Sequence, residues 1–178
     1  MKYVCVFCGS QTGSNQIYAR AAVEMARAIV AKGMGVVYGG GSIGLMGVLA
    51  DAVLAQNGSV IGVIPRALAD REVAHDGLTQ LHLVTSMHER KAMMSDLSDA
   101  FIALPGGYGT LDELCEAITW FQLGIHDKPV GLLNVDGYFD GLLQMFDYAV
   151  SEGFISEENR RILCSAATMP ALFSAMKL

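Results

Sequence analysis

The sequence predicts an α/β fold: a doubly wound parallel sheet in one domain spanning residues 1–178. Three observations carry that prediction. Apolar, β-rich runs recur along the whole chain, and segments of helical period separate most of them. Glycine- and serine-rich turns fall where a strand gives way to a helix. Strands that are apolar on both faces need cover on both sides, and intervening helices supply it. Such a Rossmann-like sheet should be built from right-handed crossovers and gather ligands beyond the carboxyl ends of its strands.

The elements follow in order. The first strand is Tyr3–Phe7, β-branched or aromatic at most positions, and residues 16–32 form the first helix. Gly35–Tyr38 is the second strand, followed by a glycine-rich turn and a helix over 45–56. The third strand, 60–64, runs into Pro65. Residues 66–80 show no clear period and are expected to be a loop with at most a short helix. A fourth strand at 81–85 leads to a helix over 87–98, and a fifth at 101–104 to a helix over 111–123. The sixth strand, 130–135, precedes a helix over 139–152. The tail, 157–178, is expected to hold one or two helices, with Pro170 near the start of the last.

Composition narrows the function. A chain of 178 residues, 52% hydrophobic, can bury a substantial core, and a net charge of −6 argues against nucleic acid or anionic membranes as partners. No apolar run is long enough to span a bilayer and no signal-peptide pattern opens the chain, so a cytoplasmic protein is expected. Cys5 and Cys8 form a C-x-x-C, the spacing of redox pairs and half zinc sites. It lies along a strand, however, where residues three apart face opposite sides, and Cys115 and Cys164 have no histidine at ligand spacing. Buried thiols and no metal site are expected.

Four motifs fall at strand ends: Cys8-Gly9-Ser10, the run from Gly39 to Gly47, Ser86 to Lys91, and Pro105-Gly106-Gly107-Tyr108-Gly109-Thr110-Leu111-Asp112-Glu113. The last is the most informative. Its glycines let backbone approach a ligand closely, the N–H groups of a helix start suit a phosphate, and carboxylates follow one turn later. Gly39, Gly41 and Gly44 match the dinucleotide fingerprint G-x-G-x-x-G. That fingerprint belongs on the first strand, and it expects an acid at the end of the next one, where this chain has Ile64-Pro65-Arg66. A mononucleotide fits better.

Plainer roles exist for several of these residues. Thr110-x-x-Glu113 and Ser86-x-x-Glu89 both read as capping boxes, though a cap requires none of the glycines before Thr110. Glu113 and Glu116 share a helix face, ordinary on a solvated surface and suited to stabilising positive charge beside a phosphate. Arg90 and Lys91 interrupt an apolar stripe containing Met87 and Met94. Either could snorkel to solvent, and a ligand phosphate is the alternative partner.

The Pro105–Glu113 segment, together with Met87-His88-Glu89-Arg90-Lys91, resembles the LOG (LONELY GUY) family of cytokinin riboside 5′-monophosphate phosphoribohydrolases. Every fixed position of its signature P-G-G-x-G-T-x-x-E is matched, and the resemblance continues through Val6 to Ser10, Gly39 to Gly47 and Ile118 to His126. It implies hydrolysis of the N-glycosidic bond of an adenine-type nucleoside 5′-monophosphate, either a cytokinin nucleotide or AMP. Glu113 and Arg90 would be catalytic. Lys91, Gly106, Gly107, Tyr108, Gly109, Thr110, Leu111, Asp112, Thr119 and Glu72 would bind substrate. Ser10, Gly41, Gly44 and Glu116 are further candidates. The resemblance also implies a homodimer and no cofactor. Three rivals stand beside it. One is a nucleotide carrier of the same fold. Another is an NAD(P)-dependent oxidoreductase resting on the Gly39 to Gly44 pattern alone. The third is a lysine decarboxylase, which would need pyridoxal phosphate on a lysine with supporting contacts.

Overall fold

A computed structural model describes residues 1–69 and 73–178. Seven strands join in one parallel sheet: β1 (Tyr3–Phe7), β2 (Gly35–Tyr38), β3 (Val60–Pro65), β4 (Gln80–Val84), β5 (Ala100–Ala103), β6 (Val130–Leu133) and β7 (Leu163–Ala166). Their order is β4-β3-β2-β1-β5-β6-β7. The chain therefore winds outward from β1 to β4, returns to the other side of β1, and winds outward again. The reversal lies between β1 and β5, which pair from Val4↔Ala100 to Phe7↔Ala103.

Two helical layers cover the sheet. On one face α1 (Gln16–Ala31), α2 (Gly44–Leu54) and α8 (Met169–Met176) pack a core containing Met25, Ile29, Leu49, Tyr38 and Phe173. On the other, α4 (Met87–Asp96), α5 (Tyr108–Gln122) and α6 (Asp140–Ser151) pack against Phe7, Phe101, Met94 and Leu114. The central strands β1, β2, β3, β5 and β6 are buried at nearly every position, which is why they read as unbroken apolar runs. Cys8 joins the first core and Cys5 the second, as strand alternation requires. Both thiols are unpaired, and burial pushes both pKa values up, so neither is a nucleophile at neutral pH.

The tail differs from expectation, whereas the segment 66–80 holds a short helix, as its sequence allows. The tail contains a short helix α7 (Glu157–Arg160) and α8, but between them β7 adds a seventh strand. That edge strand, Leu163-Cys164-Ser165-Ala166, buries only its first residue fully, so no apolar run announced it. Within 66–80, α3 (Arg66–Ala69) is a single turn. Among the described residues no helix is long and apolar enough to cross a membrane.

The turn after α5 carries a titratable group in an apolar setting. His126 is half-buried, its ring 5.0 Å from that of Phe101 and 5.9 Å from that of Phe121, and its Nδ1 accepts from the Lys128 N–H at 3.2 Å. Burial lowers its pKa below the ordinary histidine value, and nearby Lys128 adds to the effect. A pKa depressed in the folded state gives stability that is complete above the unfolded value of about 6.5 and is lost as pH falls through the folded one. The melting temperature should fall between about pH 7 and pH 5, and His126→Phe should flatten that slope whatever its effect at neutral pH. An unchanged slope would show that His126 does not couple protonation to folding.

Candidate functional site: a cleft at the sheet's switch point

Beyond the carboxyl ends of β1 and β5 the two following loops meet. The Gly9 N–H donates to the Pro105 carbonyl at 3.1 Å, and a Cβ at Gly9 would sit 3.3 Å from Gly106 Cα. This contact divides the crevice into two cavities. One, of about 240 Å³, is lined by Ser10, Arg90, Gly107 to Thr110, Asp112 and Glu113, with Val6, Cys8, Gly9, Gly39, Met46, Leu68 and Met87 completing its wall. The other, of about 280 Å³, lies towards Tyr18 and Tyr138.

The first cavity is open to the start of α5. Gly107 is the N-cap residue, extended at φ −92° and ψ −153°, and no side chain caps the helix. The first N–H groups, from Tyr108 to Thr110, therefore have no intrahelical acceptor, and the helix dipole adds positive potential there. The expected Thr110–Glu113 capping box does not form, because Thr110 is a buried third helical residue packed against Gly106. A Cβ at Gly106 would collide with the Thr110 hydroxyl, which is why glycine stands there. At α4 the box forms in substance: the Ser86 hydroxyl accepts from the Glu89 N–H at 3.1 Å. The Glu89 carboxylate in turn accepts from the Thr85 hydroxyl and N–H at 2.6 and 2.7 Å, which lowers its pKa.

Arg90 is 5% exposed. Its Nε donates to the Val63 carbonyl at 3.1 Å and its Nη2 to the Gly39 carbonyl at 2.8 Å, so strand-end carbonyls satisfy part of a buried cation. The protein thus supplies acceptors of its own for part of the guanidinium. A Cβ at Gly39 would collide with Nη2, so the first glycine of the apparent fingerprint makes room for Arg90. Gly44, at φ +63°, has the Ser10 carbonyl where a Cβ would stand, and the next N–H, that of Leu45, donates to the Gly9 carbonyl at 3.0 Å. The Gly41 carbonyl accepts from the Tyr38 hydroxyl at 3.1 Å. These glycines pack loops together.

The remaining predicted residues divide. Glu113, half-buried, faces the same cleft as Arg90 one turn into α5. Lys91 points elsewhere: its Nζ lies 3.2 Å from Asp112 Oδ2 and 3.0 Å from Glu116 Oε1, clamping α4 to α5. It borders a small neighbouring cavity of about 20 Å³ with Phe7, Met94, Phe101, Glu116, Trp120 and Glu113, so Glu113 lines both this cavity and the cleft. Burial opposes the charge of Lys91, but hydrogen bonds to Glu116 and Asp112 hold its pKa above the usual lysine value. Leu111 packs against the second core, Gly106 faces the second cavity, and exposed Thr119 donates to the Cys115 carbonyl at 2.7 Å. Gly41, Gly44 and Thr119 are not among the described residues that line the cleft. Glu72 lies outside the described residues. Sequence reasoning left Gly39 and Leu68 out of the site. The first had a signal in its place at a strand end, whereas Leu68 sits in a segment without a period.

The fold recurs in the molybdenum cofactor carrier protein of Chlamydomonas reinhardtii, with a TM-score of 0.75 at 20% identity over 99% of this chain and 96% of that one. Residues 46–176 match a protein family described as "Possible lysine decarboxylase". Pyridoxal phosphate chemistry requires an amine that readily loses its proton, and the residues present do not fit it. Lys91 is the lysine nearest the cleft and is held charged by two carboxylates, while Lys2, Lys32, Lys128 and Lys177 lie near the opposite, amino ends of the strands or beyond them. The cytokinin riboside 5′-monophosphate phosphoribohydrolase LOG of Oryza sativa subsp. japonica is 58% identical over 165 residues, 93% of this chain and 68% of its own length. The phosphoribohydrolase LOG4 of Arabidopsis thaliana is 54% identical over 174 residues, 98% of this chain and 81% of its own. With the signature residues Arg90, Gly106 to Thr110 and Glu113 gathered at one switch point and identity above half along nearly the whole chain, this protein belongs to the LOG family of cytokinin riboside 5′-monophosphate phosphoribohydrolases.

Proposed function

We propose that the protein hydrolyses the N-glycosidic bond of cytokinin riboside 5′-monophosphate, releasing the free base and ribose 5-phosphate, and that AMP is turned over by the same chemistry. One observation carries the reading: an uncapped helix start, a carboxylate about one and a half turns further along that helix, and a buried arginine all face one cavity. The 5′-phosphate sits against the N–H groups of Gly107 to Thr110, placing the ribose beside Glu113. As the bond to the base breaks, positive charge grows on the ribosyl ring, and the Glu113 carboxylate is placed to stabilise it. Water adds at C1′, and the base departs with the bonding pair and takes up a proton. Arg90, fixed by the Gly39 and Val63 carbonyls, orients the nucleotide and balances charge. Lys91 serves the site through Asp112 and Glu116, and Ser10 lines the rim. No cofactor enters the scheme.

We further propose a cytoplasmic homodimer of this nucleotide-binding domain. The α1, α2 and α8 layer leaves no large apolar side chain exposed among the described residues, whereas α5, α6 and the turns after them expose Leu123, Ile125, Met145, Tyr148 and Phe154. Thr119 belongs to that exposed side of α5 and stands outside its own cleft, so its family-matched ligand contact is assigned to the nucleotide of the second copy.

Three measurements test these assignments. Glu113→Gln should lower base release from isopentenyladenosine 5′-monophosphate by roughly 10²–10⁴-fold, and Arg90→Ala by roughly 10²–10³-fold. Nucleotide binding without any base release by the wild type would leave a carrier instead. Gly39→Ala should leave the fold intact, since only the end of a flexible side chain must move, yet should cut kcat/KM by roughly ten- to a hundredfold through Arg90. Wild-type kinetics in that variant would remove Arg90's position from the mechanism. Light scattering should give twice the 19.0 kDa chain mass, and Ile125→Asp should reduce it. A monomeric wild type would sink the dimer and the assignment of Thr119.

A further inference from the structure

The chain leaves β6 through a turn that uses two consecutive left-handed residues, Asp136 at φ +52° and ψ +35° and Gly137 at φ +70°. Asn134 braces it: its side-chain carbonyl accepts from the Phe139 N–H at 2.8 Å and its amide donates to Asp140 Oδ1 at 2.7 Å. A non-glycine residue in the left-handed region is held there by its surroundings. The product of this turn is the placement of Tyr138. Its ring meets Tyr18 edge-on at 5.6 Å and Phe139 at 4.9 Å, and its hydroxyl donates to the Gly106 carbonyl at 2.7 Å.

That carbonyl belongs to the peptide unit joining Gly106 to Gly107. In a planar trans peptide the C=O and the following N–H point in opposite directions. Gly106 faces the cavity that Tyr138 lines, while Gly107 reaches both that cavity and the catalytic cleft. Drawing the Gly106 oxygen towards Tyr138 therefore turns the Gly107 N–H towards the cleft. Glycine on both sides leaves the peptide little torsional preference of its own, and open space surrounds the Cβ position of Gly107. The hydroxyl is the side-chain group seen holding that plane.

We propose that Tyr138 is a positioning residue for the phosphate cradle, latching the Gly106–Gly107 peptide so that the Gly107 N–H is presented to the 5′-phosphate before substrate arrives. It touches no reacting atom and works from the far side of the loop. The inference rests on the assignment of the α5 start as the phosphate site.

Tyr138→Phe removes the hydroxyl and keeps the ring contacts. Calorimetric titration with AMP, adenosine and inorganic phosphate, with Glu113→Gln present in both proteins to slow turnover of AMP, should show the dissociation constants of AMP and phosphate rising about tenfold, the worth of one neutral hydrogen bond, with that of adenosine unchanged. KM should rise more than kcat falls, and the melting temperature should hold. A structural role alone would weaken adenosine as much as AMP. In ¹⁵N-labelled protein the Gly107 amide resonance should shift on adding phosphate to the wild type and respond much less in the variant, a readout independent of modest stability changes. AMP selectivity that survives in Tyr138→Phe overturns the latch alone. A wild type that binds AMP no more tightly than adenosine overturns the phosphate-site reading and the latch with it.

Discussion

A guanidinium 5% exposed at the floor of the cleft is the constraint around which the site is organised. Arg90 can remain charged there only if acceptors replace water, and the parallel sheet offers them where strands end. The Gly39 and Val63 carbonyls lie at the carboxyl ends of neighbouring strands β2 and β3, and both accept from Arg90. The arrangement fixes much else. Position 39 has to be glycine because the guanidinium occupies the space of a Cβ. Helix α4 has to start within reach of β3, and the Ser86 cap sets where it does. With Arg90 seated on the Gly39 and Val63 carbonyls, its guanidinium is held in place by the backbone of the sheet itself.

Opposing charge is managed on the facing helix. Asp112, Glu113 and Glu116 are crowded within five residues of α5, an arrangement that by itself disfavours three carboxylates. Lys91 lies 3.2 Å from the first and 3.0 Å from the third, leaving Glu113 between them to face the cleft with Arg90. Adjacent residues on α4 thus do different work. Arg90 points into the cleft, while Lys91 ties α4 to α5 and offsets part of the charge of the flanking acids.

Much of this was legible in the sequence, for identifiable reasons. Central strands buried on both faces leave apolar runs that cannot be mistaken, and the glycines before Glu113 marked a strand-to-helix turn, although α5 begins at Tyr108, three residues before the expected Leu111. Edge positions gave less. β7 buries one residue fully, so its pattern does not separate it from a loop. The direction of Lys91 could not be read either, because a helical stripe places a side chain on a face without naming its partner. Thr110 misled for a similar reason. Its spacing from Glu113 is that of a capping box, but helix α5 begins at Tyr108 with Gly107 as its N-cap, which moves Thr110 inside the helix. Gly39, Gly41 and Gly44 reproduced a motif whose usual partner is pyrophosphate, whereas here they accommodate an arginine, a tyrosine hydroxyl and the loop after β1.

The same loop explains why the crevice suits a mononucleotide. In doubly wound sheets that bind dinucleotides, the ligand crosses the switch point, with one half on each side. Here the Gly9 N–H bonds directly to the Pro105 carbonyl, and a Cβ at Gly106 would collide with the Thr110 hydroxyl and crowd Gly9 N at 2.8 Å. That bond lies between the two cavities, whose walls share Gly9, Ser10 and Gly107, so a ligand extending from one to the other would have to pass it. The cavity beyond is lined by Tyr18 and Tyr138, and from that side the Tyr138 hydroxyl donates to the Gly106 carbonyl at 2.7 Å.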